Sequence, residues 1–214
     1  MAWLAEASYE NTELSDDASA EGWEIVDKYK SKKTGFHAVL FENKVTGEHV
    51  LGFAGTDPSF HDYYTDVVQG LGVWTGQYKQ AIDLAAKLKQ QYPNLRLTGH
   101  SLGGGLASAA SIINRIAGTV TFNAAGVHPW TVSRYNSMPL GDAPGLITAF
   151  RVKGEFLSSS QDGWWLFGLP IVEPDGVGTT FWLDGTMWDP FTKHGMDNIH
   201  KGLKSIYMHK ELKL

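Results

Sequence analysis

The 214-residue chain contains no cysteine, which excludes disulfides, thiolate nucleophiles and thiolate metal sites together. It also lacks a basic excess: 18 Lys and Arg against 23 Asp and Glu leave a net charge of −5. The basic residues are scattered except for Lys28 to Lys33 and the lysines from Lys201 onward. A nucleic-acid partner is therefore not expected, and the lysine runs read as solvated surface that would also suit an anionic membrane face. No segment reaches the roughly 18 apolar residues of a membrane span. The stretch from Met1 to Ser19 has neither the basic start nor the apolar centre of a classical signal peptide. A protein made in the cytoplasm is expected, with any export by a non-classical route. No part of the chain has metal-ligand spacing, and no cofactor is implied, although a calcium site stays open.

What is present is a sizeable apolar fraction, 43%, enough for one core, so residues 1–214 are read as a single domain. "FHAVLFEN" (Phe36 to Asn43) and "EHVLGFAG" (Glu48 to Gly55) are β-rich runs joined as a hairpin. From Gly76 the period changes: Tyr78, Ile82, Ala85, Leu88 and Tyr92 follow helical spacing, and Pro93-Asn94 ends the helix. "LRLTG" is a strand, the small-residue run from Ser101 to Ile116 a helix, and "GTVTFNAAG" and "GLITAFRVKGE" are further strands. Strands alternating with helices predict an α/β fold, a mostly parallel central sheet with helices on both faces, whose ligands sit beyond the carboxyl ends of the strands. Ser101, Asn123 and the stretch around Glu155 all fall at such ends. Residues 157–193 lack periodicity and are rich in Gly, Pro, Asp and Trp, so they read as a long excursion with short strands in it.

Gly99-His100-Ser101-Leu102-Gly103 fits G-x-S-x-G, a turn from strand to helix that thrusts a serine out in strained geometry at the top of a sheet. Three fixed positions are weak by themselves; a β-run ending at Gly99 and a slim helix starting after Ser101 supply the context. The alternative is a glycine-rich turn with an idle serine. A serine attacking a carbonyl also needs donors for the developing negative charge. The N–H of Leu102, at the start of the new helix, is one. Thr56, delivered by the strand that ends at Gly55, offers a second N–H and a hydroxyl, unless it merely caps the next segment.

"VLGFAGTD", Asp62 and Asp66 in "HDYYTDVVQG", "LTGHSLGGGLA" and "VTFNAAGVHP" together resemble the class 3 lipases of the α/β-hydrolase superfamily, well over residues 36–130 and loosely beyond. The resemblance implies an α/β-hydrolase fold with a nucleophile elbow and an oxyanion hole at Thr56 and Leu102. It also implies the chain order nucleophile, acid, base. Glu155, just past "LITAFRV", is then the acid, where the family usually has Asp; either carboxylate can orient an imidazole. Asp162 is the fallback and Asp175 stands behind it. The family's base comes last, leaving His194, His200 and His209. His194 is chosen because it opens "HGMDNIHKGL" ahead of a helix, whereas His200 reads as a surface residue.

The implied mechanism is serine ester hydrolysis through a Ser101-His194-Glu155 triad and an acyl-enzyme, with no cofactor. Trp164, Trp165 and Phe167, with Trp182 further on, precede the base in the chain, where a lid or acyl-binding wall would lie; they read equally as an aromatic core for the excursion. Lid and family together favour a lipid or phospholipid substrate met at a membrane surface. The C-terminal third also resembles, loosely, bacterial antibacterial phospholipase effectors, which implies a toxin released through a contractile secretion apparatus and neutralised by an immunity protein. A small-ester or thioester hydrolase and a non-catalytic hydrolase-fold binding module are the other readings. The complete serine, acid and histidine order argues against the last.

Overall fold

The computed structural model describes residues 1–9, 13–55, 76–135, 145–155, 165–166, 169–170, 177–185 and 193–211. Nine strands are described: β1 (Trp23–Ser31), β2 (Phe36–Asn43), β3 (His49–Phe53), β4 (Arg96–His100), β5 (Thr119–Phe122), β6 (Ile147–Val152), β7 (Trp165–Leu166), β8 (Leu169–Pro170) and β9 (Thr179–Leu183). The described helices are α1 (Ala2–Glu6), α2 (Asp16–Ala20), α3 (Gly76–Gln91), α4 (Leu102–Asn114), α5 (Pro129–Ser133) and α6 (Met196–Glu211). Seven strands form one sheet in the order β1-β2-β3-β4-β5-β6-β9, while β7 and β8 make a separate two-stranded ribbon. The β1–β2 and β2–β3 pairings are antiparallel; every pairing from β3 to β9 is parallel.

The expected hairpin is β2 and β3, and its burial shows why both strands read as apolar. Phe36, Ala38 and Leu40 face a core shared with Tyr78 and Ile82 of α3 and Leu106 and Ile112 of α4. The intervening Val39 and Phe41 face the other way, against Leu4, Ala7, Trp23 and Val50. A strand covered on both faces loses the polar alternation of a half-solvated one. Farther along the sheet, Phe122, Val152 and Leu183 meet Ala5 of α1 and Met196 and Ile199 of α6. Helices α3 and α4 thus cover one face, and α1 and α6 the other. Full burial of a Leu such as Leu97 or Leu106 is worth about 1.5–3 kcal/mol relative to exposure.

Parallel pairing aligns the carboxyl ends of five strands along one rim. Phe53 pairs with Gly99, His100 with Phe122, Phe122 with Phe150 and Val152 with Leu183. Two strands differ from the sequence reading. β1 was not anticipated: Trp23 is buried, but Lys28 and Lys30 alternate outward with Tyr29, as suits a charged outer strand. β9 lies within the expected excursion of 157–193, yet it completes the main sheet beside β6.

Candidate active site

Ser101 follows β4 and caps α4 with φ +57° and ψ −127°, a conformation that costs on the order of 1–3 kcal/mol outside glycine and is held only by its surroundings. Those surroundings are backbone bonds. The Ser101 N–H donates to the Phe122 carbonyl at 3.1 Å, and its carbonyl accepts from Gly105 N–H at 3.2 Å and Ala125 N–H at 3.0 Å. The turn also needs two positions without side chains. A Cβ at Gly99 would lie 2.3 Å from the Gly103 carbonyl oxygen, and one at Gly103 would lie 2.1 Å from the Phe53 carbonyl oxygen. Helix α4 therefore starts in direct contact with the end of β3. Leu102 is its first residue, where helix geometry leaves the N–H without an intrahelical acceptor.

Glu155 follows β6 farther along the rim, and His194 lies just ahead of α6. Beyond Val152 the chain turns through Gly154, at φ +69°, and the Glu155 N–H returns to the Val152 carbonyl at 3.2 Å. Glu155 is fully buried, and its Oε2 lies 2.7 Å from Nδ1 of His194. Because a carboxylate accepts, Nδ1 carries the hydrogen, which leaves Nε2 as the nitrogen that can exchange a proton. Nε2 is buried and has no hydrogen-bond partner among the described residues. An imidazole held this way is poised to take a proton at Nε2.

Three further side chains hold this arrangement; the sequence places Asn123 at a strand end without giving it a role, and it marks neither His100 nor Tyr9. Asn123, at the end of β5 with φ +40°, donates from Nδ2 to the His194 carbonyl at 2.9 Å. Its Oδ1 accepts the Val152 N–H at 2.9 Å. His100, the residue before Ser101, donates from Nε2 to the same His194 carbonyl at 2.7 Å. Its Nδ1 accepts from the Tyr9 hydroxyl at 2.8 Å. Burial, and secondarily the nearness of His194, pull the His100 pKa down to about 3, so the ring is neutral. The His100 and His194 rings lie 4.8 Å apart at 42°.

Of the residues singled out from the sequence, Ser101, Leu102, Glu155 and His194 stand on this rim. Thr56, Asp162, Trp164, Phe167 and Asp175 lie outside the described residues. Trp165 falls on β7 and Trp182 on β9, where Trp182 is 45% exposed. His200, expected at the surface, is half-buried and bonds Glu6 of α1 at 2.9 Å. His128 caps α5 by accepting the Trp130 N–H. Among the described residues no three His, Asp or Glu are grouped as a metal ion requires, and no helix is long and apolar enough to cross a membrane.

The parallel sheet with a strained serine at the turn into α4 defines the class: an α/β-hydrolase fold. Within it, the chain belongs to the phospholipase-like family, whose model, described as a Tle-like phospholipase domain, matches residues 1–203. It is 33% identical over 185 residues to an extracellular phospholipase A1 of Serratia liquefaciens, covering 78% of this chain and 55% of that protein. The chain thus spans about half the length of the curated relative it matches. The Lip2 lipase of Yarrowia lipolytica superposes with a TM-score of 0.55 at 16% identity, covering 90% of this chain and 80% of that one. A triacylglycerol lipase from Penicillium expansum gives 0.53 at 19% identity, covering 86% and 77%. At such identities the structural likeness speaks for the fold alone.

Proposed function

We propose that the protein hydrolyses carboxylic esters of lipids, with phospholipids as the principal class, through an acyl-enzyme on Ser101. His194 removes the Ser101 hydroxyl proton at Nε2 as the oxygen attacks the ester carbonyl. Glu155 keeps the hydrogen on Nδ1 and stabilises the imidazolium that forms. The tetrahedral oxyanion rests on the Leu102 N–H, aided by the α4 dipole, and on Thr56. Collapse expels the alcohol, which takes its proton from His194; water then repeats the sequence and releases the fatty acid. The observation that carries this reading is the buried 2.7 Å contact between Glu155 and His194, with the His194 ring 4.8 Å from the ring of His100 beside the strained serine. The family, and the phospholipase A1 description of the Serratia relative, support the choice of substrate.

The same proposal takes residues 1–214 as one domain and assigns lipid contact to the aromatic stretch with Trp164, Trp165 and Phe167. The relative's extracellular description supports action outside the producing cell; a non-classical, contractile route of release is part of the same proposal. A phospholipase kept in the cell that makes it endangers that cell's membranes, hence the proposed immunity protein. The test is covalent labelling of Ser101 by a fluorophosphonate, alongside a panel of triglyceride, phospholipid and short-chain p-nitrophenyl esters with products identified by mass. Ser101→Ala is expected to abolish labelling and to cut hydrolysis by about a million-fold without unfolding the chain. Turnover retained in that variant rejects the serine mechanism. Cleavage of the short esters alone favours a small-ester hydrolase, and absence of both labelling and turnover a binding module.

A further inference from the structure

The imidazole of His194 is gripped at one atom by Glu155, and a single bond at Nδ1 leaves the direction of Nε2 to the backbone that carries the ring. That backbone is held at its carbonyl. Two donors converge there, His100 Nε2 at 2.7 Å and Asn123 Nδ2 at 2.9 Å. Asn123 can present only its amide nitrogen, because its Oδ1 is taken by the Val152 N–H. His100 must present an Nε2–H there, because a carbonyl only accepts. Neutral imidazole exists in two tautomers, and the Nδ1–H form would aim the Nε2 lone pair at the His194 carbonyl, lone pair against lone pair.

The His194 carbonyl can only accept, so it requires hydrogen on Nε2. Tyr9 supports that tautomer from the other side of the ring: Nδ1 is then an acceptor, and the hydroxyl donates to it at 2.8 Å. The chain makes room for it at the end of β3. A Cβ at Gly52 would lie 2.0 Å from Ser8 Oγ, and one at Gly55 would lie 2.6 Å from the Tyr9 hydroxyl and 3.4 Å from Ser101 Cβ. The segment is further set by Ser8 Oγ donating to the Leu4 carbonyl at 2.7 Å. Burial keeps His100 uncharged, so the clamp puts no second positive charge beside the imidazolium that forms on His194.

We infer that Tyr9 and His100 are positioning residues, a tautomer-locked pair that fixes the His194 backbone and so aims its Nε2 at Ser101. This rests on the proposed role of His194 as base. A misplacement near 1 Å can cost on the order of a hundred-fold in rate, so the pair has leverage on turnover without touching substrate.

The test compares Tyr9→Phe, His100→Leu and His100→Gln in the full chain on a soluble short-chain ester, each with its melting transition recorded. Tyr9→Phe and His100→Leu are expected to lower kcat by roughly ten-fold or more with KM held, as for an interaction felt only in the transition state. Fluorophosphonate labelling of Ser101 should slow in parallel. His100→Gln offers a donor and an acceptor in one uncharged side chain and should recover most of the rate. The far-downfield proton resonance of His194 Nδ1–H, identified by its loss in His194→Ala, should shift or broaden in the first two variants and return in the third. Wild-type kcat and an unmoved resonance in Tyr9→Phe overturn the inference; that variant lacks one oxygen and decides even if His100→Leu fails to fold. The underlying reading fails differently: wild-type Ser101 would not label, or Ser101→Ala would stay active, and either result removes the inference with it.

Discussion

Glu155 is the acid of the proposed triad, and its surroundings suit the longer side chain. The turn through Gly154 sets its Cα three residues past the last residue of β6, and the side chain then reaches Nδ1 at 2.7 Å with no exposure to water. Glu155→Gln keeps the length and loses the charge, so it is expected to leave the melting temperature near wild type while kcat on a soluble ester drops by about four orders of magnitude. Asp162→Asn should change kcat little, and the reverse ranking would move the acid to Asp162. Ser101, Glu155 and His194 were legible because a motif and a chain order point to side chains. Tyr9 and His100 were not, and Asn123 was legible only as a strand-end residue without a role. Two of them act on a backbone carbonyl, which any residue type supplies, and Tyr9 meets a ring 91 positions away. An interior position of the elbow also looks like packing alone, so nothing in the sequence marks His100.

The slim start of α4 is the element on which the site depends. A methyl at Gly103 would lie 2.1 Å from the Phe53 carbonyl oxygen and 2.8 Å from the Ala54 carbonyl carbon, so α4 and the end of β3 must separate. Gly103→Ala is expected to cost about 1–3 kcal/mol, as overpacking does, and to slow Ser101 labelling sharply because the elbow moves with the helix. Gly47→Ala is the control. It sits at φ +72° with open space around the new methyl, so thermal melting should show a modest loss of stability and labelling an unchanged rate. Equal labelling of the two variants would detach the helix start from the chemistry. β2, β3, α3, β4 and α4 were legible in the sequence because apolar periodicity survives wherever an element is buried along a face. β1 and β9 escaped for the converse reason. In β9 only Leu183 is buried among residues 179–183, with Phe181 and Trp182 about half exposed, so no period marks it as part of the sheet.

For the whole molecule, burial of a neutral His100 makes stability a function of pH. Its folded pKa, about 3, lies below the ordinary histidine range. The stabilising term is therefore complete above that range and is lost as pH falls toward 3, because the unfolded chain takes up a proton that the folded chain refuses. The full effect is on the order of a few kcal/mol. The drop in melting temperature between pH 7 and pH 4 is expected to be smaller in His100→Gln than in the wild type; equal drops would mean that His100 titrates normally. The N-terminal segment that supplies Tyr9 also joins the far end of the chain. Ala5 packs with Met196 and Ile199, and Glu6 bonds His200 across 194 positions. This arrangement has a consequence in time. At roughly 5–20 residues per second of synthesis, residue 200 is made about 10–40 s after residue 6. The segment around Glu6 must wait that long for its neighbour, and His194 is made only shortly before that neighbour. Until His194 is made, the rim that holds Ser101 is incomplete.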